Sequence, residues 1–160
     1  MNIRFIDTSI MLNLLEVPGK CAQKESIKEE WKRVLQAKDI LIMPASTIIE
    51  TGNHIAHISD GTIRRKIALQ FKEYLIKTAK SEAPWSLYGT RLEKEELLYL
   101  AEHIEEYAIM EIGIGDMSII HAFEMYKNTQ PAIGTIMIWS TDVHLSAYRV
   151  DDVSLKRRRK

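Results

Sequence analysis

Residues 2–11 read NIRFIDTSIM, an apolar-rich stretch from Ile3 to Ile6 that runs straight into Asp7, Thr8 and Ser9. The pattern predicts a buried strand over residues 2–7. A short helix over Thr8–Leu15 follows at once and ends before Pro18 and Gly19, since proline and glycine stop helical propagation. A carboxylate at such a joint has a structural reading, because Asp, Ser and Thr side chains accept hydrogen bonds from the unpaired amides of a helix start. A different reading opens if carboxylates recur at similar joints.

Further along, Gln23–Ala37 carries Ile27, Trp31, Val34 and Leu35 at helical spacing, which predicts an amphipathic helix with its Lys and Glu residues facing water. DILIMP (39–44) gives a second short buried strand stopped at Pro44, and ASTIIETGNHIAHI (45–58) begins a helix on small and hydroxyl residues. Residues 62–80 read as another helix, SEAPWSLYGT (81–90) as the clearest loop, and Leu92–Tyr107 as a further helix. Gly113 and Gly115 interrupt AIMEIGIG (108–115) just before Asp116, which opens the helix DMSIIHAFEMYKN (116–128), and a last buried run, TIMIW (135–139), leads into STDVHL (140–145). Strands alternating with helices imply a parallel sheet with helices on both faces. Active sites of such sheets lie beyond the carboxyl ends of the strands.

Four acids fall near these strand-to-helix joints. Asp7 follows the first strand, Glu50 lies one to two turns into the helix after the second, Asp116 opens a late helix and Asp142 follows the last apolar run. Taken singly, Asp7 and Asp116 read as caps, Glu50 as a helix-surface acid and Asp142 as a turn residue. Taken together they would repel one another and raise each other's pKa unless a cation sat among them. A hard, oxygen-seeking ion such as Mg²⁺ or Mn²⁺ is the natural occupant, because it accepts a few carboxylates and keeps waters for substrate.

Composition bounds the rest. At 160 residues the chain is about one domain, large enough to bury a core without disulfides or a structural metal. Cys21 is the sole cysteine, which excludes a disulfide framework and a Cys-based zinc site and fits a reducing setting. Neither a signal peptide nor a run of 18 apolar residues is present, so a cytoplasmic protein away from the membrane is expected. The formal net charge is zero, but Lys156–Lys160 are all basic; without them 17 Lys and Arg stand against 22 Asp and Glu. The body is thus acidic. Bulk charge gives no support for nucleic-acid binding, and the tail reads as a solvated end or a phosphate-binding arm.

FIDTS (5–9), PASTIIETGN (44–53), GIGDMSIIHAFE (113–124) and IWSTDVHL (138–145) occur in an order and at separations that resemble the PIN-domain ribonucleases, including the toxin halves of many prokaryotic toxin-antitoxin pairs of the VapC type. The resemblance spans nearly the whole chain. It implies a single PIN-like nuclease domain over residues 1–150 with a basic tail over 151–160. The fold would be α/β, a three-layer α/β/α sandwich on a central parallel sheet of four or five strands. Asp7, Glu50, Asp116 and Asp142 would be the catalytic, metal-binding cluster for Mg²⁺ or Mn²⁺, with Thr8, Ser9 and Ser140 as supporting hydroxyls. The implied partners are an RNA substrate, an antitoxin protein and a second copy in a homodimer, with no membrane. The chain departs from the compact toxins by extra helical material between about residues 58 and 107. Two alternatives stay open: a catalytically silent PIN-fold protein-interaction module, and a metal-dependent phosphohydrolase acting on small substrates.

Other constellations are weaker. Glu50, His54 and His57 have spacing that could bind a transition metal from one side of a helix, but the His-Glu-x-x-His order of metalloproteases is missing. His121 and His144 lie close in sequence to the acids. Arg64, Arg65 and Lys66 form the densest basic run of the body, read as a solvated face or an RNA backbone contact. No Gly-rich phosphate loop and no Gly-x-Ser-x-Gly elbow is present.

Overall fold

A computed structural model describes residues 1–89, 93–129 and 134–151. The basic run Lys156–Lys160 lies outside these residues. In chain order the elements are β1 (Ile3–Ile6), α1 (Thr8–Leu14), α2 (Lys24–Gln36), β2 (Ile40–Pro44), α3 (Ala45–Ala56), α4 (Gly61–Ala79), β3 (Trp85–Tyr88), α5 (Lys94–Ile109), α6 (Ile114–Thr129), β4 (Ile136–Trp139), α7 (Val143–Ser146) and β5 (Arg149–Val150). The five strands form one sheet in the order β3-β2-β1-β4-β5.

β1 lies at the centre and pairs in parallel with β2, Phe5 opposite Ile42, and with β4, Ile6 opposite Trp139. β2 pairs in parallel with β3. The strand order reverses between β1 and β4, and such a reversal opens a crevice at the carboxyl ends of the strands. Alternate strand residues point to opposite faces. Ile6, Leu41, Met43, Trp85 and Trp139 enter one core with α1, α2, α3 and α4, while Ile3, Phe5, Ile42, Ile136 and Ile138 enter a second with Ile119, Ile120 and Phe123 of α6. Two cores back to back make a layering compatible with a three-layer sandwich.

Three expectations need correction. The sheet is mixed, because β5 runs antiparallel to β4, Met137 opposite Arg149. The segment read as a loop contains β3, which adds to the β2 edge with Leu41 opposite Trp85. Its alternation is hard to see because Ser86 and Leu87 both remain exposed. The third concerns α6, which begins at Ile114, so Asp116 sits inside the first turn and does not cap it. The Met117 amide already donates to the Gly113 carbonyl at 2.9 Å.

Candidate active site

Asp7 ends β1 and caps α1, and it does more than cap. Its side chain is almost fully buried, 3 % of the residue being exposed. Oδ2 accepts from the Ser9 amide at 3.2 Å, from Ser9 Oγ at 2.6 Å and from Ser140 Oγ at 2.7 Å. These three hydrogen bonds all reach the same oxygen. Charge-assisted bonds of this kind are the stronger ones, and here they fix one rotamer.

Ser140 follows β4, the strand beside β1, and its hydroxyl also accepts from the Asp142 amide at 2.9 Å. Asp142 in turn caps α7, Oδ1 accepting from the amides of His144 and Leu145 at 2.8 and 3.2 Å. Two neighbouring parallel strands thus end in two capped turns stitched together by Ser9 and Ser140, with the Thr141 amide donating to Ser9 Oγ at 3.0 Å. Thr47 fastens the start of α3 to the same edge by donating to the Ile6 carbonyl at 2.8 Å. That anchor sets Glu50 over α1, where its Oε2 accepts from Thr8 Oγ1 at 2.8 Å.

Asp116 arrives from the other side on α6. Gly115 explains how α6 comes so close to α3, since a Cβ there would lie 2.5 Å from Glu50 Cδ. The glycine read as a helix breaker is a helical residue whose missing side chain leaves room for a carboxylate. All four acids line one cleft of about 460 Å³, together with Thr8, Ser9, Lys20, Asn53 and His54.

Electrostatics mark the same place. The Asp116 carboxyl is pushed up to about 6, first by burial and then by the charges of Asp7, Glu50 and Asp142. Every one of these causes acts in the same direction, because each disfavours a further negative charge. The donor set, all carboxylate oxygen, fits a hard divalent cation in kind and in placement. The separations are another matter: among the described residues no three His, Cys, Asp or Glu side chains lie close enough together to hold a metal. The acids nonetheless line one cleft.

The hydroxyls read as supporting residues, Thr8, Ser9 and Ser140, each contact an acid. The His57 ring is turned to the Asn53 carbonyl, Nδ1 at 2.7 Å, and among the described residues Glu50, His54 and His57 are not grouped closely enough to hold a metal. His121 lies away from the acids in a neighbouring cavity, and His144 reaches Asp142 through its backbone amide. Arg64, Arg65 and Lys66 are exposed on α4, where Arg64 Nη1 donates to the Ile58 carbonyl at 2.8 Å.

Two cleft residues escaped sequence reasoning. Asn53 stands three residues after Glu50 on α3, a spacing that puts both on one side of a helix, and this was a usable signal. Lys20 comes from the loop after Pro18 and Gly19, where no pattern points to it. It is the cation that lines the cleft among the described residues.

The fold and cleft define an α/β protein with a carboxylate-lined crevice at the carboxyl edge of a mostly parallel sheet. No family model, no curated protein and no solved structure matches the chain. No helix among the described residues is long and apolar enough to cross a membrane.

Proposed function

We propose that the protein is a metal-dependent endoribonuclease of PIN type, hydrolysing RNA phosphodiester bonds in the acidic cleft. The observation that carries this reading is the convergence of Asp7, Glu50, Asp116 and Asp142 from four separate elements on one crevice. Four independent caps or surface acids would have no reason to meet. Mg²⁺ or Mn²⁺, when bound, supplies charge neutralisation at the scissile phosphate and an activated water.

The chain's own residues have distinct tasks. Asp7, immobilised through Oδ2 by Ser9 and Ser140, is the fixed carboxylate of the set. Glu50 is steered by the Thr8 hydroxyl and Asp142 by its own cap, so these side chains need little reordering to receive a cation. Asp116, whose proton affinity is raised to about 6, gives up its proton when a cation offsets the neighbouring charges. Lys20 brings a positive charge to the mouth of an otherwise acidic cleft, where it can meet a phosphate.

The decisive experiment compares single-stranded RNA with small phosphate esters as substrates, with Mg²⁺ or Mn²⁺ and with chelator, for the parent and for Asp116→Asn. Metal-dependent cutting of RNA that Asp116→Asn abolishes is the expected result. Turnover of the esters alone would replace a nuclease with a phosphohydrolase, and turnover of neither would leave a silent interaction module. A toxin role with an antitoxin partner rests on the resemblance; growth arrest on expression of the parent, relieved by Asp116→Asn, is its test.

A further inference from the structure

Beside the acidic cleft opens a larger cavity that the four acids do not explain. It measures about 560 Å³ and is bounded by the ends of β2 and β3 and by α3, α5 and α6. The two spaces share two walls. On α3, Ile49 faces this cavity and the next residue, Glu50, the acids; on α6, Ser118 and His121 face it while Asp116 faces the acids. A strand of RNA held at the acids therefore passes this opening.

The lining is mainly apolar, with Ile49, Met125 and the ring of Tyr88 among its walls. Its polar groups include Ser46, Glu93, Glu96, Ser118 and His121, and one is unusual: among the described residues Glu96 Oε2 on α5 is buried and has no hydrogen-bond partner. A buried carboxylate oxygen without a donor is costly, and such a group in a folded protein needs an explanation. His121 stands near that charge, its ring stacked on Tyr99 with centroids 3.8 Å apart. Burial lowers the proton affinity of His121, against a smaller opposite effect of Glu96, and the ring makes no hydrogen bond to Glu96 Oε2.

A mainly apolar cavity with an unpartnered carboxylate oxygen on a lining residue suits a flat ligand with N–H donors on its edge. Single-stranded RNA is read in this way, by base stacking and by contacts to base edges. The four bases differ sharply in what they offer a carboxylate. Guanine presents two adjacent donors, N1–H and N2–H; adenine and cytosine set a donor beside an acceptor, and uracil sets one donor between two carbonyls. We propose that this cavity is a base-binding subsite for guanine, with the Glu96 carboxylate accepting from N1–H and N2–H of a nucleotide in the RNA bound at the acids. The proposal rests on the nuclease reading for its source of guanine, although guanine recognition can be measured without cleavage.

The test is to titrate the metal-free protein with guanosine, inosine, adenosine, cytidine and uridine while following the backbone amides of α5 and α6 by NMR. Guanosine should bind about tenfold or more tightly than adenosine, cytidine or uridine, with inosine, which lacks the N2 amine, in between. Glu96→Gln should erase the preference with a thermal midpoint no lower than the parent's, because the amide now turns a donor toward donors. Equal affinities for all five nucleosides, no binding, or a preference that survives in Glu96→Gln would overturn the subsite. Cleavage separates the two readings. RNA cut by the parent without base preference overturns the subsite and leaves the nuclease standing; selective guanosine binding by a protein that cuts no RNA supports the subsite and overturns the nuclease.

Discussion

At the amino ends of β1 and β2 the Asp39 side chain, 2 % exposed, receives Arg4 Nε at 2.9 Å and the Asn2 amide at 2.8 Å, while Arg4 Nη1 also holds Glu30 at 3.0 Å. At the carboxyl ends of the same strands, Asp116 faces Asp7, Glu50 and Asp142 without a cationic side chain among the causes acting on it. Burial works on both carboxyls in the same sense, upward. At Asp39 the Arg4 guanidinium and the Asn2 amide outweigh it and hold the carboxyl below the ordinary range, whereas at Asp116 the neighbours add to it. One end of the sheet uses buried charge to fasten strands. The other gathers carboxylates whose charges raise the proton affinity of Asp116.

Substitutions at the two ends should therefore separate stability from activity. The largest effect is expected from Asp116→Asn, which should reduce RNA cleavage about a thousandfold through loss of a ligand charge. Without metal its stability should stay level or rise by about 1 kcal/mol, as close like charges are relieved. Cleavage assays beside thermal unfolding with and without Mn²⁺ check both halves. Unchanged cleavage together with the parent's stabilisation by Mn²⁺ would reduce Asp116 to an ordinary helix residue.

Next in size, Asp39→Asn should cost about 3 kcal/mol in denaturant unfolding, because it strands a half of a buried ion pair. The cut RNA per folded molecule should not change. A loss of less than about 1 kcal/mol would show that Arg4 finds sufficient partnership in Glu30 alone.

Protonation gives the third contrast. The folded-state value of about 6 for Asp116 lies above the ordinary 3.8, so over that interval the native protein keeps a proton that the unfolded chain releases. Stability without metal is then greatest below the interval, declines through it, and carries the whole penalty above about 6. For this half-buried group the change between pH 5 and pH 8 should be about 1 kcal/mol. Asp39 has the reverse sign: its contribution is present above 3.8 and is lost as pH falls through its lowered folded-state value. Unfolding midpoints measured from pH 3 to pH 8 should show both limbs, and Asp116→Asn should flatten the upper one alone. Stabilisation by Mn²⁺ should be larger at pH 8 than at pH 5, since the cation competes with the proton.

The smallest stability change is expected at Gly115. Alanine favours a helix over glycine by up to about 1 kcal/mol, and the obstacle its Cβ meets is the movable end of Glu50. Gly115→Ala should thus unfold at the same or a slightly higher temperature, yet cleave about tenfold more slowly because Glu50 is displaced. Parallel melting and activity measurements would show whether the space over Gly115 serves the site.

Much of this was legible in the sequence because the informative residues sit where a period ends. Asp7 follows an apolar run directly, Asp142 follows another after Ser140 and Thr141, and Glu50 follows the proline-terminated strand within two turns, so their joint placement could be read from the pattern and the parallel-sheet rule. β3 could not, since Trp85–Tyr88 is a four-residue edge strand between Pro84 and Gly89 with two exposed positions. β5 is shorter still, and its antiparallel pairing follows from the turn made by α7, which no period announces. Gly115 was misread for another reason: what it accommodates is Glu50, 65 residues away in sequence and invisible until the fold brings α3 against α6.

The central strand has a consequence for synthesis. β1 is synthesised long before its partner β4, Ser140 reaching Asp7 across 133 positions. One edge of β1 stays unpaired until β4 has been made, and contacts of such long sequence separation form slowly. Asp142 also emerges only then, so a nascent chain carries three of the four acids and no finished cleft. The site therefore cannot be assembled until β4 and the turn that carries Asp142 have been made.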